Sequence, residues 1–439
     1  MIQSLLDVDT TGQGVVDRRG FLRRLVATGA AAGAVSMSWR DLMIAQAAEL
    51  RKRGKSMILL WMDGGPSQFD TFTPKIGSEF QGPAGEIGTN LTGVKIAQYW
   101  PQTARVMDKI ALIRSMQSNE LDHFRAIKLV RTGYPLTPTI AYPTWGSVVA
   151  RERHDGAFDL PAFVRIGQPR IKTRDVNSGV LGPRFDSFKI DQPRKLPENV
   201  RSAVPEEVLQ RRNKLTAFLD DQFAQSGGAA SVAEKREVYR RAQQLSLSPR
   251  LDAFELDQEP DQLRDAYGRT AFGQGCLLAR RLVEQGVSFI EVISTGSLND
   301  QGWDTHNKGF DENPILCNET DPAYATLLRD LEDRGLLENT LVVWMGEFGR
   351  TPKFKPDGGR EHYAEGWITC LSGGGVKTGQ VIGATDKDGA QITDRPVGVQ
   401  DLFVTFCRVL GLDPHTEYMT PLNQPIKLVD GGELIHELF

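Results

Sequence analysis

Four short motifs bring carboxylates, imidazoles and guanidinium groups to places at or just beyond the ends of apolar segments. They read DGGPSQFD (63–70), GWDTHN (302–307), GEFGRT (346–351) and GREHY (359–363). Oxygen and nitrogen ligands of this kind bind hard or borderline divalent cations, such as zinc, calcium, magnesium or manganese. A bound cation of this class polarises an ester oxygen and lowers the pKa of a bound water. The motifs therefore predict a site for one or two divalent metal ions.

The predicted metal ligands are five side chains from these motifs: Asp63, Asp304, His306, Glu347 and His362. Asp304 and His306 lie two residues apart, so both project to one side of an extended segment. Glu347 directly follows an apolar run, where an uncompensated carboxylate is costly to bury. A lone Asp after a strand also serves as a turn or helix cap, and for Asp70 both roles stay open.

Two arginines in the same motifs are candidates for contact with a substrate. Guanidinium groups bind anionic oxygens through two parallel hydrogen bonds. We predict a catalytic contact for Arg350 and a substrate-binding contact for Arg360.

These motifs need a scaffold that brings distant parts of the chain together. Short apolar runs predict buried strands at 57–62, 110–114, 288–294, 341–345 and 367–371. Helical patterns lie between them, at about 122–131, 206–221, 232–245, 271–285 and 324–334. This alternation predicts an α/β fold with a mainly parallel sheet covered by helices on both faces. Ligands gather at the carboxyl ends of strands in such sheets, so the motifs are expected to meet at one edge.

The stretch from about 151 to 260 is richer in proline, charge and surface-like helices than the rest of the chain. We interpret it as a helical insertion in one large α/β domain that spans 49–439. That length is sufficient for a single domain with a substantial core.

Composition argues against several classes of protein. The net charge is −4, and no basic block follows the N-terminal region, which argues against a nucleic-acid partner. No apolar run of about 18 residues follows the N-terminal region, so we expect no transmembrane anchor in the mature chain. The four cysteines form no CxxC pair, and Cys317 is the one expected near the surface. The pairing of any disulfides stays open.

The N-terminus has the features of an export signal. Residues 17–25 read DRRGFLRRL, a weakly apolar stretch rich in alanine and glycine follows, and Ala45-Gln46-Ala47 offers a cleavage site. The Arg18–Arg19 pair before Gly-Phe-Leu resembles the twin-arginine signal. We therefore predict that residues 1–48 are read by the twin-arginine translocase, and that the mature protein is periplasmic or extracellular in a bacterium. An amphipathic N-terminal helix with a chance arginine pair is the alternative.

With these motifs the chain resembles a family of twin-arginine-exported proteins of unknown function, within the alkaline-phosphatase-like and sulfatase-like superfamily. The matching runs are MDGGPSQFDTF, GWDTHN, MGEFGRTP, GREHY and GGGVKTGQVIGATD, and the resemblance covers most of the chain. It implies a doubly wound α/β sandwich with one or two metals beside a nucleophile. Asp63 then matches the carboxylate after the first strand, and Asp304 and His306 match a metal-binding pair. Glu347 matches an Asp of a later motif, and His362 matches a distant ligand.

The chain departs from the superfamily pattern at two positions. Phe348 stands where phosphatases and sulfatases carry His or Asn, which favours one metal or an altered site. Sulfatases place their nucleophile ten residues before the glycine of a Leu-Thr-Gly motif, and the run RTGYP (131–135) resembles the end of that motif. Counting back ten from Gly133 leads to His123, not to a serine, threonine or cysteine.

His123 begins a predicted helix, where free backbone N–H groups stabilise an anion. An imidazole there acts as a metal ligand, as a general base for water or as a nucleophile. We therefore predict a catalytic role for His123. The alternative is a histidine bonded locally to Asp122 or Asn119, in which case Ser115 or Ser118 is the next candidate.

The resemblance implies an exported, metal-dependent hydrolase of phosphate or sulfate esters, with small-molecule or carbohydrate esters as substrates. The departures at Phe348 and His123 keep a second hypothesis open. In that hypothesis the protein is a non-catalytic periplasmic or surface protein that binds a metal or ligand on a degenerate phosphatase or sulfatase fold.

Replacing Arg18 and Arg19 by lysine is expected to block export, because the translocase reads the arginine pair. Cell fractionation should then find the precursor in the cytoplasm. The matched control replaces Arg23 and Arg24 of the same leader by lysine, and its export should continue. Normal export of the first variant would contradict the predicted signal.

Overall fold

The computed structural model describes residues 54–439, except 154, 157, 171–175, 197–199, 203, 298–300 and 421. The predicted signal peptide, residues 1–48, lies outside the described residues. Within them the strands are β1 (Ser56–Met62), β2 (Glu86–Gly88), β3 (Lys95–Ala97), β4 (Ala111–Gln117), β5 (Phe163–Ile166), β6 (Phe188–Ile190), β7 (Phe289–Ser294), β8 (Thr340–Met345), β9 (Gly349–Phe354), β10 (Arg360–Tyr363), β11 (Trp367–Gly373), β12 (Gln380–Ile382), β13 (Ala384–Thr385), β14 (Ile392–Asp394), β15 (Val397–Gly398), β16 (Glu417–Met419) and β17 (Pro425–Lys427).

The α-helices are α1 (His123–Thr132), α2 (Trp145–Glu152), α3 (Glu206–Phe223), α4 (Ala229–Ser246), α5 (Asp261–Ala266), α6 (Ala271–Glu284), α7 (Gly309–Asp333) and α8 (Val399–Leu410). No helix in this part of the chain is long and apolar enough to span a membrane.

The central sheet has the order β12-β4-β11-β8-β1-β7-β5-β6, with β15 beside β4. Its pairings are parallel except for β11, which runs antiparallel to both β4 and β8. Because β11 reverses between them, β4 and β8 point the same way, and their carboxyl ends lie at the same edge as those of β1 and β7. The predicted α/β fold with a mainly parallel sheet between helices is confirmed.

β1 shows why the sheet is covered on both faces. All seven of its residues are buried, and alternate side chains of a strand point to opposite faces. Ile58 and Leu60 belong to one core with residues of α6 and α7, whereas Leu59 and Trp61 belong to a second core with residues of α1, α2 and α8. Each fully buried side chain of this size contributes about 1.5–3 kcal/mol, so β1 anchors the site at its end firmly.

α7 is longer than the sequence predicts. The predicted helix covered about 324–334, but the observed helix begins at Gly309 and contains Pro314 and Pro322. A proline inside a helix removes a hydrogen bond and usually marks its end. Here the buried face of α7, which includes Leu316 and Cys317, keeps the helix continuous across both prolines.

The predicted insertion at about 151–260 needs a correction. β5 and β6 fall inside this range but belong to the central sheet, where β5 pairs with β7. β5 and β6 were not predicted from the sequence because both are short and because β5 contains the polar Arg165. The part of the range outside the sheet includes the helical pair α3 and α4.

All four cysteines are buried and free, so the expected surface position of Cys317 is wrong. Its Sγ donates to the carbonyl oxygen of Asp70. Burial raises the pKa of the Cys317 and Cys276 thiols well above the usual value, and it raises that of Cys407 to about 12. These thiols are therefore neutral core residues.

A buried group of charges ties the segment before α5 to α6 and α7. Arg280 is fully buried and lies 2.9 Å from carboxylate oxygens of Glu259, Glu284 and Asp330. Arg281 Nη1 contacts Glu259 at 2.5 Å. Each charge here has a partner of opposite sign, which is the condition for burying it without a large penalty.

Glu259→Gln is expected to lower the free energy of unfolding by about 3 kcal/mol, because it leaves buried guanidinium charge less compensated. Urea denaturation measures this loss. The matched control is Glu255→Gln, whose partner Arg201 is half exposed, and the loss there should stay below about 1 kcal/mol. Equal losses in the two variants would contradict a special role of the buried group.

Candidate metal centre

The carboxyl ends of four strands meet at one edge of the sheet and carry the candidate site. Asp63 follows β1, Glu347 follows β8, and Asp304 lies in the loop after β7. His123 begins α1, which follows β4. His362 lies in β10, which pairs with β9 just after β8. The topology thus brings together side chains that are far apart in sequence.

Asp304 lies at the centre of three imidazoles. Its Oδ1 is 3.1 Å from Nε2 of His306 and 3.2 Å from Nε2 of His362. Its Oδ2 is 3.1 Å from Nε2 of His123. One ligand atom from each of these four residues lies within 4.8 Å of the other three. The cluster offers three nitrogens and one oxygen to a common point.

This cluster fits a divalent cation. His306 Nε2 and His362 Nε2 face each other at 2.8 Å, and ligand atoms on a tetrahedral zinc ion are separated by about 3.3 Å. Nε2 of His123 is buried and faces Asp304 Oδ2 at 3.1 Å. A cation among these atoms would replace the contacts between the side chains by coordination to the imidazole lone pairs.

The surroundings keep two of the candidate ligands, Asp304 and His306, in the forms that bind metals. Burial alone would raise the pKa of Asp304, but hydrogen bonds with His123 and His362 and the charge of Arg350 hold it well below its usual range. Burial, together with the charge of Arg350, lowers the pKa of His306. An ionised carboxylate and a neutral imidazole are the species that coordinate.

Glu347 holds His123 from behind. Its Oε1 lies 2.6 Å from Nδ1 of His123, and the backbone N–H of Gly64 donates to it at 3.1 Å. Glu347 is fully buried and stands outside the group of four ligands. A carboxylate on the far nitrogen fixes the tautomer and orientation of an imidazole. The structure therefore places Glu347 behind His123, although we predicted Glu347 as a metal ligand itself.

His123 is bonded neither to Asp122 nor to Asn119 in this structure. Asp122 instead caps α1, where its side chain accepts from the backbone N–H of Arg125. Burial alone would lower the pKa of His123, but its contacts with Asp304 and Glu347 raise it above the usual value.

Asp63 also lies next to the cluster without joining it. Its Oδ2 accepts from the backbone N–H of Arg170 at 2.6 Å, and its Oδ1 accepts from the indole N–H of Trp61 at 3.3 Å. Burial and the neighbouring charge of Glu347 raise the pKa of Asp63. In this arrangement Asp63 organises the loop that carries Arg170.

Arg350 does not have the substrate contact that we predicted. It is completely buried, and its guanidinium donates to Asp304 Oδ1 and to the carbonyl oxygens of Gly64, Gly65, Trp303 and Arg360. These bonds hold together the loops after β1 and β7 and the first residue of β10. The donors are used by backbone carbonyls, so Arg350 positions Asp304 rather than substrate oxygens.

The predicted substrate contact of Arg360 needs the same correction. Its guanidinium is buried, donates to the carbonyl oxygens of Phe80, Thr351 and Pro352, and stacks at 4.3 Å on the ring of Phe69. Burial lowers its pKa to about 10, partly offset by Asp70. Asp70 accepts from Asn313 at 3.0 Å and stands outside the group of candidate ligands.

Phe348 occupies the position where the resemblance predicts a polar ligand. It is buried, and its ring centroid lies 4.9 Å from that of His123 and 4.3 Å from that of His362. Its packing against both rings limits their rotation. The described residues therefore supply one cluster of ligands at this edge.

Arg170 also contacts the cluster, although it was not among the predicted site residues. Its Nη1 lies 2.5 Å from Asp304 Oδ2 and 3.3 Å from Gln301 Oε1. Arg170 follows the short strand β5, within the range read as an insertion, and is separated from Asp304 by 134 residues. No periodic or motif signal marks it.

The sandwich and the cluster define an α/β protein with a candidate metal centre at the carboxyl edge of its sheet. The chain belongs to the family described as "Protein of unknown function (DUF1501)", which matches residues 54–439. No curated protein sequence matches the chain.

Several solved structures are similar to the chain at low sequence identity. The phosphonate monoester hydrolase of Agrobacterium radiobacter is 12% identical, with 88% of this chain and 77% of that chain covered and a TM-score of 0.41. The PsFucS1 sulfatase from Pseudoalteromonas sp. is 13% identical, with 86% and 72% covered and a TM-score of 0.38. The periplasmic domain of EcEptC from Escherichia coli, in complex with Zn, is 9% identical, with 85% and 92% covered and a TM-score of 0.38.

The cluster predicts metal binding that depends on His306 and His362. The unmodified chain, dialysed against zinc or manganese, should retain about one ion and gain about 2.7 kcal/mol of stability at a free concentration 100 times Kd. His306→Ala with His362→Ala should lose both effects. Metal content and thermal unfolding measure them.

The matched control replaces two exposed histidines, His415 and His436, by alanine and should bind as the unmodified chain does. Stoichiometric binding that survives the loss of both His306 and His362 would contradict the site.

Proposed function

We propose that this protein is an exported, metal-dependent hydrolase of phosphate or sulfate esters. The observation that carries the proposal is the convergence of one carboxylate and three imidazoles within 4.8 Å of one another at the edge of the sheet. When bound there, a divalent ion would polarise an ester oxygen and lower the pKa of a bound water. The exported location and a small-molecule or carbohydrate ester as substrate are parts of the same proposal.

Asp304, His306 and His362 would hold the metal. The side chains of His306 and His362 are 28% and 19% exposed, whereas that of Asp304 is 10% exposed. The two histidines thus face the side from which a substrate arrives, and Asp304 faces the interior. This arrangement leaves one side of the metal for water and substrate, as catalytic metal sites require.

His123 would be the residue that handles a proton. Glu347 fixes its ring through Nδ1 at 2.6 Å, so Nε2 is held toward the cluster. A histidine oriented by a carboxylate is a suitable general base for water. Its other possible roles, as a fourth ligand or as the nucleophile, use the same nitrogen.

Arg170 would bind the anionic oxygens of the substrate, a role that the buried Arg350 and Arg360 do not fill. Its Nε is buried without a hydrogen-bond partner among the described residues. Its Nη1 contacts Asp304. The carboxylate of Asp304 would then interact with both Arg170 and the bound cation. A guanidinium beside the metal is placed to hold a phosphoryl or sulfuryl group bidentately.

A second candidate function is non-catalytic binding of a metal or anion on the same fold. Two observations favour it: both predicted substrate arginines are engaged by carbonyls, and Ser115 donates its hydroxyl to the carbonyl of Arg395. The serine that we considered as an alternative nucleophile is therefore already bonded elsewhere.

Turnover of aryl phosphate and aryl sulfate esters by the metal-loaded chain separates the two functions. His123→Ala should lower kcat at least about 100-fold if the ring acts as a base, in an apoprotein that still unfolds in one cooperative thermal transition. His415→Ala is the matched control and should keep full activity. Metal-loaded protein that binds one ion but turns over neither ester would contradict the hydrolase and leave the binding function.

A further inference from the structure

α3 presents an unusual surface for a helix outside the central sheet. Leu215, Phe218, Leu219 and Phe223 are 63%, 58%, 56% and 58% exposed. Their spacing of three, four and eight residues from Leu215 places them on one face of the helix. Large apolar side chains gathered on an exposed face indicate an interaction site. We call these four residues the apolar face of α3.

Basic residues accompany the apolar face. Arg211 and Arg212 lie four and three residues before Leu215, and Lys214 lies four residues before Phe218, so each is one turn away on the same side. All three are exposed. No ion pair to them is formed by the residues that the structure describes.

The acidic residues near the end of α3 are directed elsewhere. Asp220 pairs with Lys235 at 2.7 Å, and Asp221 pairs with Arg236 at 2.6 Å. Both partners belong to α4, so these carboxylates serve the contact between the two helices. The two aspartates near the end of α3 therefore pair with α4, while Arg211, Arg212 and Lys214 accompany the apolar face.

We propose that the apolar face of α3 binds the surface of an anionic lipid membrane. Phenylalanine and leucine insert into the boundary between headgroups and acyl chains, and arginine and lysine contact anionic headgroups. A second copy of this chain is the less favoured occupant, because a face bearing Arg211, Arg212 and Lys214 would meet the same bases on its copy. α3 would lie on the membrane surface. The candidate metal centre lies at the edge of the sheet and is not part of α3, so membrane binding by α3 does not depend on hydrolysis.

Co-sedimentation of the full-length chain with vesicles tests this proposal. Binding should be stronger to phosphatidylcholine mixed with phosphatidylglycerol than to phosphatidylcholine alone, and it should weaken as salt rises. Phe218→Ser with Phe223→Ser should weaken binding to the mixed vesicles at least about tenfold. Arg211→Glu with Arg212→Glu should abolish the preference for the anionic lipid.

Leu422→Ser is the matched control, because Leu422 is 72% exposed on a different part of the surface and its loss should leave binding unchanged. Every variant carries the same residues 1–53, so differences between variants report on α3. Equal binding of the phenylalanine variant and the unmodified chain would overturn the proposal. So would a dimer in light scattering that becomes a monomer in the phenylalanine variant.

Discussion

The carboxylate of Asp304 is buried between three imidazoles and two guanidinium groups. This concentration of charge determines where the surrounding side chains must lie. A carboxylate removed from water needs nearby positive charge or hydrogen-bond donors. Arg350 supplies one contact at 2.7 Å and Arg170 supplies another at 2.5 Å. The imidazoles lie on the remaining sides, and one ligand atom from each of the four residues lies within 4.8 Å of the others, so a cation would fit among them.

The architecture around Asp304 holds this balance in place. Arg350 binds backbone carbonyls of two loops and of β10, so a shift in any of these segments would move Asp304. Glu347 holds the ring of His123, and Phe348 packs against that ring from the side. These supports come directly after β8, whose six residues are all buried. The polar side chains are thus held in fixed positions at the ends of rigid strands, as metal sites require.

Helices and strands could be predicted from the sequence wherever the local pattern of apolar residues agrees with the tertiary structure. β1 and α6 were predicted because apolar runs and helical periods are local signals. α7 was predicted too short, because packing of its buried face overrides Pro314 and Pro322. β5 and β6 were missed because strands of three or four residues leave no period to detect.

The site was predicted in part, for a similar reason. A motif shows which residue types are available. It does not show which of their hydrogen-bond donors are already bonded to backbone carbonyl oxygens in the folded protein. Arg350 and Arg360 therefore looked like substrate ligands, although carbonyl oxygens occupy their guanidinium groups. The position of Arg170 beside the cluster could not be predicted, because it depends on one long-range contact with Asp304. Asp304, His306 and His362 could be predicted to lie together because they stand in motifs at strand ends, and the structure brings them together.

A crystal structure of zinc- or manganese-loaded protein, with anomalous-scattering data and a phosphate or sulfate analogue bound, tests the account most directly. We expect one strong anomalous peak at bonding distance, about 2.0–2.3 Å, from Asp304, His306 and His362, with the analogue between that peak and Arg170. A fully loaded crystal whose anomalous peak lies elsewhere, with His306 and His362 still in direct contact, would contradict it.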